Sequence, residues 1–162
     1  MPMTTQDAAD HLEIIQVIQR YVKAIDEKRF DVLASVFTED AELVYLVGKQ
    51  LIEASMKTAE ATFKAFLWKC FWTSHLVSDP TIELMGDRAR ASSRLTATHV
   101  QIRDDGSRNV WIVSGVYEDE FVREARGWRI RKRVTIAPYE EGAFLADGVR
   151  EFASPPSLRD LR

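Results

Sequence analysis

The sequence predicts an α+β fold in which helices lead and an antiparallel sheet follows. Two observations carry this. Apolar residues recur at helical spacing near the N-terminus, and beyond residue 73 β-rich runs alternate with short turn signals. Helices segregated from an antiparallel sheet define the α+β class. A strongly curved sheet wrapped over a long helix forms a cone whose open end is a pocket, a shape suited to a small molecule.

The elements follow in order. Leu12, Ile15, Ile18, Val22 and Ile25 form an amphipathic stripe, and Thr4 or Thr5 with Asp7 and Asp10 suits the helix N-terminus. A shorter helix is expected over Phe30 to Phe37, ended by Thr38-Glu39-Asp40. Ala41 to Val47 reads as a strand that Gly48 breaks. A third helix is expected from Ile52 to Phe71, rich in Ala, Lys, Met and Leu. Strands follow over Thr73 to Met85, Arg90 to Arg103, Val110 to Val122 and Trp128 to Ala137. Their turns are Gly86-Asp87, Asp104-Asp105-Gly106-Ser107 and Arg126-Gly127, and Pro138 is expected to end the last strand. Ala143 to Phe152 reads as a short helix. Residues 1–153 make one domain, and Ser154-Pro155-Pro156 opens a tail to residue 162.

Composition narrows the function. At 162 residues, with 46% hydrophobic and 29% charged, the chain can bury a core and is not globally disordered. A net charge of −3 argues against a general nucleic-acid partner. The single cysteine, Cys70, excludes an intrachain disulfide framework and a Cys-based zinc site, and its apolar surroundings make it a small core residue. No run approaches the roughly 18–20 apolar residues of a membrane span, so no membrane partner is expected. Met1 to Asp10 lacks a basic and an apolar region, so a cytoplasmic location is the expectation.

Six side chains carry candidate chemistry. Asp26 lies at the edge of the first helix's apolar stripe, where a carboxylate is partly desolvated and needs a partner. Pairing with Lys23 or Arg29, or simple hydration, is the plain alternative. His75 opens a strand after Trp68, Phe71 and Trp72. Imidazole exchanges protons near neutrality, and a carboxylate on one ring nitrogen raises the basicity of the other. A structural histidine bonded to backbone is its alternative. His99 shares a strand face with Leu95 and Ala97, whereas His11 lies in the first helical turn, facing solvent. Tyr21 and Tyr45 are phenols able to donate to a carbonyl oxygen gaining charge, or simply packed core residues. Arg133 alternates with Arg129 and Arg131, so a pocket role requires a bulge. Asp26, His75 and His99 could form a facial metal set, but no two are spaced as a local ligand pair, and no metal is assigned. Phe30, Phe37, Trp68, Phe71, Trp72 and Trp111 are the expected apolar lining.

Two stretches resemble a known family. Tyr21-Val22-Lys23-Ala24-Ile25-Asp26-Glu27-Lys28-Arg29-Phe30-Asp31 with Val36-Phe37-Thr38-Glu39-Asp40-Ala41 is similar to the opening of SnoaL-like proteins of the NTF2-like superfamily. So is Gly115 to Phe121 with Gly127-Trp128-Arg129-Ile130. The resemblance spans about residues 10–140 and implies a cone-shaped α+β barrel, dimeric or trimeric. Scytalone dehydratase, bile-acid 7α-dehydratase and hexachlorocyclohexane dehydrochlorinase of this superfamily share an Asp on the first helix and a His after the third. Asp26 and His75 resemble that pair. Tyr45 resembles a pocket tyrosine of both dehydratases, Tyr21 one of the bile-acid enzyme, and His99 the second histidine of scytalone dehydratase. Arg133 resembles an arginine of the bile-acid enzyme and the dehydrochlorinase. Ile25 and Leu43 depart from a scytalone dehydratase tyrosine and a dehydrochlorinase tryptophan.

The resemblance implies a cofactor-independent lyase acting on a small hydrophobic, aromatic or polycyclic hydroxylated substrate. His75 takes a proton, Tyr45 and Tyr21 hold the oxygen, and His99 or Arg133 helps the leaving group depart. Retro-aldol cleavage with loss of a small aldehyde is a close variant. A double-bond isomerase and a non-catalytic ligand-binding module are the alternatives. A homotrimer is the implied assembly, with a dimer next, and Ala143 to Phe152 the segment that closes the pocket.

Overall fold

The computed structural model describes residues 2–157, 159 and 160. Part of the expected tail, at residues 158, 161 and 162, lies outside them. The first helix, α1 (Thr5–Asp26), opens on a capping box: the Thr4 hydroxyl accepts from the Asp7 amide at 3.0 Å, and Asp7 Oδ2 accepts from the Thr4 amide at 2.8 Å. Its buried stripe is Ile14, Val17, Ile18, Tyr21 and Ile25 rather than one through Leu12, which is exposed. His11 is half-buried, its Nδ1 donating to the Asp7 carbonyl. A 3₁₀ turn (Phe30–Ser35) stands where the second helix was expected.

Strand β1 (Phe37–Val47) begins four residues before the expected start. Residues 50–55 form β2 (Gln50–Ser55), paired antiparallel with β1, and only then does α2 (Met56–Leu67) begin. The sequence pattern leads one to expect Ile52 in that helix. Its alternation with Leu51 and Ala54 fits a strand once Gly48 provides the turn, at φ 56°. The next strand is divided into β3 (Trp72–Val77) and β4 (Thr81–Met85), both paired with β5 (Arg88–Ile102). Pro80, which lacks an N–H, lies in the break.

Strands β6 (Arg108–Glu124) and β7 (Gly127–Gly142) complete a seven-stranded sheet in the order β2-β1-β7-β6-β5-β3, with β4 beside β5. The meander is antiparallel as expected, but β1 joins β7 in parallel, so the sheet is mixed. Pro138 does not end β7; the strand runs on to Gly142. The proline is accommodated because the β6–β7 register slips between Ser114 and Val116. Gly115 faces this slip, where an added Cβ would lie 1.9 Å from the Ile136 carbonyl oxygen.

A second slip controls the site. Phe121 faces Ile130 but Glu120 faces Lys132, so Arg131 is an extra residue. Trp128 and Ile130 point inward before it, and Arg133, Thr135 and Ala137 after it. Helix α1 packs its stripe on this inner face, with Leu43, Tyr117, Phe121, Trp128 and Ile130 in one core. Each large side chain buried there contributes roughly 1.5–3 kcal/mol.

Residues 143–152 are not the expected helix. They form an extended strap held by the Arg103–Val149 bridge and by cross-links. Gln101 Nε2 donates to the Leu145 carbonyl, Asn109 Nδ2 to that of Ala143, and the Phe152 amide to that of Trp68. With backbone groups bonded across the strap, no helical ladder remains available to it. Lys28, at φ 56°, is buried and donates to the Cys70 and Phe152 carbonyls, at 2.6 Å each. Burial lowers its pKa to about 8. Among the described residues, no helix is long and apolar enough to cross a membrane.

Candidate active site

Asp26 ends α1 and faces β3. Its Oδ1 accepts from the Thr73 hydroxyl at 2.8 Å and lies 2.7 Å from His75 Nδ1, while Oδ2 accepts from the His75 amide at 2.9 Å. Lys23 and Arg29, the alternative partners, pair instead with Glu27 and Asp31. Burial alone would raise the Asp26 pKa, but the bonds and charge of His75, with the Thr73 hydroxyl, outweigh it and hold the carboxyl below its ordinary range. An ionised Asp26 accepts only, so Nδ1 of His75 carries a proton, and in the neutral ring Nε2 is the bare nitrogen.

His75 and His99 stand edge to face, their ring centres 5.5 Å apart. Burial, then the neighbouring His75, pushes the His99 pKa down to about 3, so His99 is neutral. Its Nδ1 lies 3.3 Å from the Trp111 carbonyl, which can only accept. Nδ1 therefore holds the single proton, and Nε2 of His99 is an acceptor. This revises the expected part of His99: it is not built to protonate a leaving group.

Both histidines line a cavity of about 110 Å³, with Tyr21, Tyr45, Tyr117 and Thr135 as its other main polar residues. The Tyr21 and Tyr45 hydroxyls are 3.1 Å apart. Burial raises the Tyr45 and Tyr117 pKa values well above that of free phenol, so both remain protonated donors. Tyr117 escaped sequence reasoning. Its pairing with Thr135 across β6 and β7 is set by the sheet register, which no local pattern carries.

Arg133 is completely buried and lies outside the cavity wall. Asp119 receives its Nε and Nη2, both at 2.7 Å. The guanidinium sits over the Tyr21 and Tyr117 rings, 4.2 and 4.1 Å from their centres. Its expected contact with a leaving group is thus replaced by support of the tyrosines from behind. The bulge at Arg131 is what turns it inward.

Of the six expected aromatic lining residues, only Trp111 reaches the cavity. Phe30 packs on Phe63, and Phe37 on Tyr21, one layer behind the wall. Because α2 stops at Leu67, its cavity face is Thr62, Phe63, Phe66 and Leu67. Trp68 then lies under Lys64, and Phe71 against Phe152. Trp72 points outward because Thr73 and His75 occupy the inner side of β3. Cys70 is buried as expected and lines the cavity; burial pushes its thiol up to about 12. Phe144 of the strap covers part of the cavity against Phe66 and Trp111. No group of three His, Cys, Asp or Glu among the described residues is placed to hold a metal.

A sheet wrapped over a long helix, with a carboxylate–imidazole pair at an apolar cavity, defines an α+β protein of the NTF2-like, cystatin-like fold. The chain belongs to the SnoaL-like domain family, whose model matches residues 6–134. It is 31% identical over 141 residues to the uncharacterized protein Rv2910c of Mycobacterium tuberculosis, covering 86% of this chain and 92% of that one. A putative scytalone dehydratase from Novosphingobium aromaticivorans shares the fold at a TM-score of 0.75 and 21% identity, over 92% of this chain and 97% of that one. A hexachlorocyclohexane dehydrochlorinase, LinA Type2, shares it at 0.69 and 18%, over 93% and 97%.

Proposed function

We propose that the protein is a cofactor-independent lyase that removes water from a small hydroxylated aromatic or alicyclic carbonyl compound. The observation that carries this reading is the 2.7 Å contact between Asp26 and His75 at the wall of an apolar cavity. Asp26 orients the imidazole through Nδ1. His75 Nε2 takes a proton from the carbon next to the carbonyl, and the electron pair moves onto the carbonyl oxygen. Tyrosine hydroxyls hold that oxygen. Collapse of the enolate forms a carbon–carbon double bond and breaks the bond to the β-hydroxyl. The imidazolium returns its proton to the departing hydroxide, so one water leaves and nothing is oxidised or reduced. His99 Nε2 accepts a hydrogen bond from the substrate hydroxyl and so orients it. Positioned acid–base groups of this kind contribute about 10²–10⁴-fold.

The test uses Asp26→Asn and His75→Ala, with folding checked by circular dichroism, against a panel of one-ring hydroxyketones. Turnover is expected to fall by about 10²–10⁴-fold in each. Wild-type turnover in both variants overturns the dyad. Binding without elimination across the panel replaces the lyase by a ligand-binding module. The assembly that goes with this reading is a homotrimer. An exposed apolar row, Leu51, Leu46 and Ile136, that crosses three adjacent strands on the outer face supports association between copies, and the number three follows the family resemblance. Light scattering should give about three times the 18.5 kDa chain mass; a monomer overturns it.

A further inference from the structure

Three buried side-chain atoms among the described residues have no hydrogen-bond partner: Ser93 Oγ, Thr135 Oγ1 and Arg133 Nη1. All three surround one residue. Ser93 and Thr135 flank Tyr117 on β5 and β7, and the Arg133 guanidinium lies over its ring. Tyr45, Thr135, Tyr117 and Ser93 thus form a row of hydroxyls across four adjacent strands, β1-β7-β6-β5. Unpaired buried hydroxyls are costly, and a fold retains them where something else completes their bonding. Of the three, only Thr135 lines the cavity, while being almost fully buried. Among the described residues, no Lys, Arg, Asp or Glu lines the cavity beside it.

We propose that Thr135, with Tyr117, forms a subsite that hydrogen-bonds the oxygen of an uncharged, one-ring carbonyl ligand. This deepens the proposed function by naming a binding residue and a ligand charge class for the same cavity. The two walls have opposite hydrogen-bonding character. Bare Nε2 atoms of His75 and His99 accept on one side, and hydroxyls donate on the other. A ligand bearing both a hydroxyl and a carbonyl matches both walls. A carboxylate ligand would meet no lysine or arginine among the described lining residues. The cavity's 110 Å³ is below the roughly 150 Å³ that holds benzene, so it limits the ligand to one ring at most.

The experiment is equilibrium binding by calorimetry, so it does not depend on turnover. The probes are 4-hydroxyacetophenone, 4-ethylphenol, which lacks the carbonyl, and 4-hydroxybenzoate, which is an anion. Wild type should bind 4-hydroxyacetophenone tightest and 4-hydroxybenzoate at least about tenfold more weakly. Thr135→Val keeps the shape and removes the hydroxyl. It should weaken 4-hydroxyacetophenone by about 3–10-fold, leave 4-ethylphenol unchanged, and raise the melting temperature, because an unpaired buried hydroxyl is gone. Thr135→Ser should retain wild-type preference, and Tyr117→Phe should weaken the ketone selectively. Equal loss for both neutral probes, no loss, or a lowered melting temperature in Thr135→Val overturns the proposal. Asp26→Asn serves as the control for the lyase reading: it should lose turnover yet keep the probe preference, so either reading can fail alone.

Discussion

His99 shows how one carbonyl fixes a side chain's chemistry. The Trp111 carbonyl claims the only proton of a neutral ring, so the face toward the cavity can only accept. The same burial makes the fold sensitive to acid. In the folded state the His99 pKa is about 3, whereas a free histidine titrates near 6.5. Between those values the unfolded chain binds the proton and the folded one does not, so stability rises with pH across that window. Urea denaturation from pH 6.5 down to 4 should therefore show falling stability in wild type and a flatter profile in His99→Gln. Parallel profiles would contradict this. The residues that could be read from the sequence were those whose partner lay at a fixed place. Asp26 at a helix end and His75 at a strand start are both determined by local periodicity, and they meet. Tyr117 and Thr135 could not be read in the same way. Each resembles an ordinary inward strand residue until cross-strand pairing sets them side by side. Arg133 was legible only in part, since one inserted residue decides which way it faces.

Among the elements, the strand-rich half was the more legible because its turns are marked. Asp104-Asp105-Gly106-Ser107 and Gly127 fall where chain reversals occur, and β5, β6 and β7 extend within a few residues of expectation. β2 was missed because a six-residue strand before a helix start leaves little periodic signal. The parallel pairing of β1 with β7 depends on residues some ninety positions apart, and no local pattern encodes it. Pro138 misled for a definite reason: it stops a regular ladder, but a bulge lets the ladder resume. Gly115 makes that bulge possible. Gly115→Ala should destabilise the fold by more than about 2 kcal/mol in urea titration, because its Cβ would lie 1.9 Å from a backbone oxygen that cannot rotate away. A loss under about 0.5 kcal/mol would show that β7 can shift.

For the whole molecule, the strap joins the far end of the chain to the mouth of the cone. It contributes Phe144 to the cavity and is tied down by Lys28, Gln101 and Asn109. Truncation after Gly142 should cost more than about tenfold in 4-hydroxyacetophenone affinity while the circular dichroism spectrum is retained. Equal collapse of both would make the strap part of the core. The two slips in β7 carry a different consequence for the molecule. They divide the strand by parity: even-numbered residues face inward up to Ile130, odd-numbered ones from Arg133 to Ala137, and even-numbered ones again at Glu140, where the Trp111 indole finds its acceptor. A regular ladder that paired Arg131 with Glu120 would instead turn Lys132, Val134 and Ile136 inward, stripping the tyrosines of their cation and the cavity of a hydroxyl. Change of function here thus needs no altered chemistry at any site position, only a shift in the counting frame of a single strand.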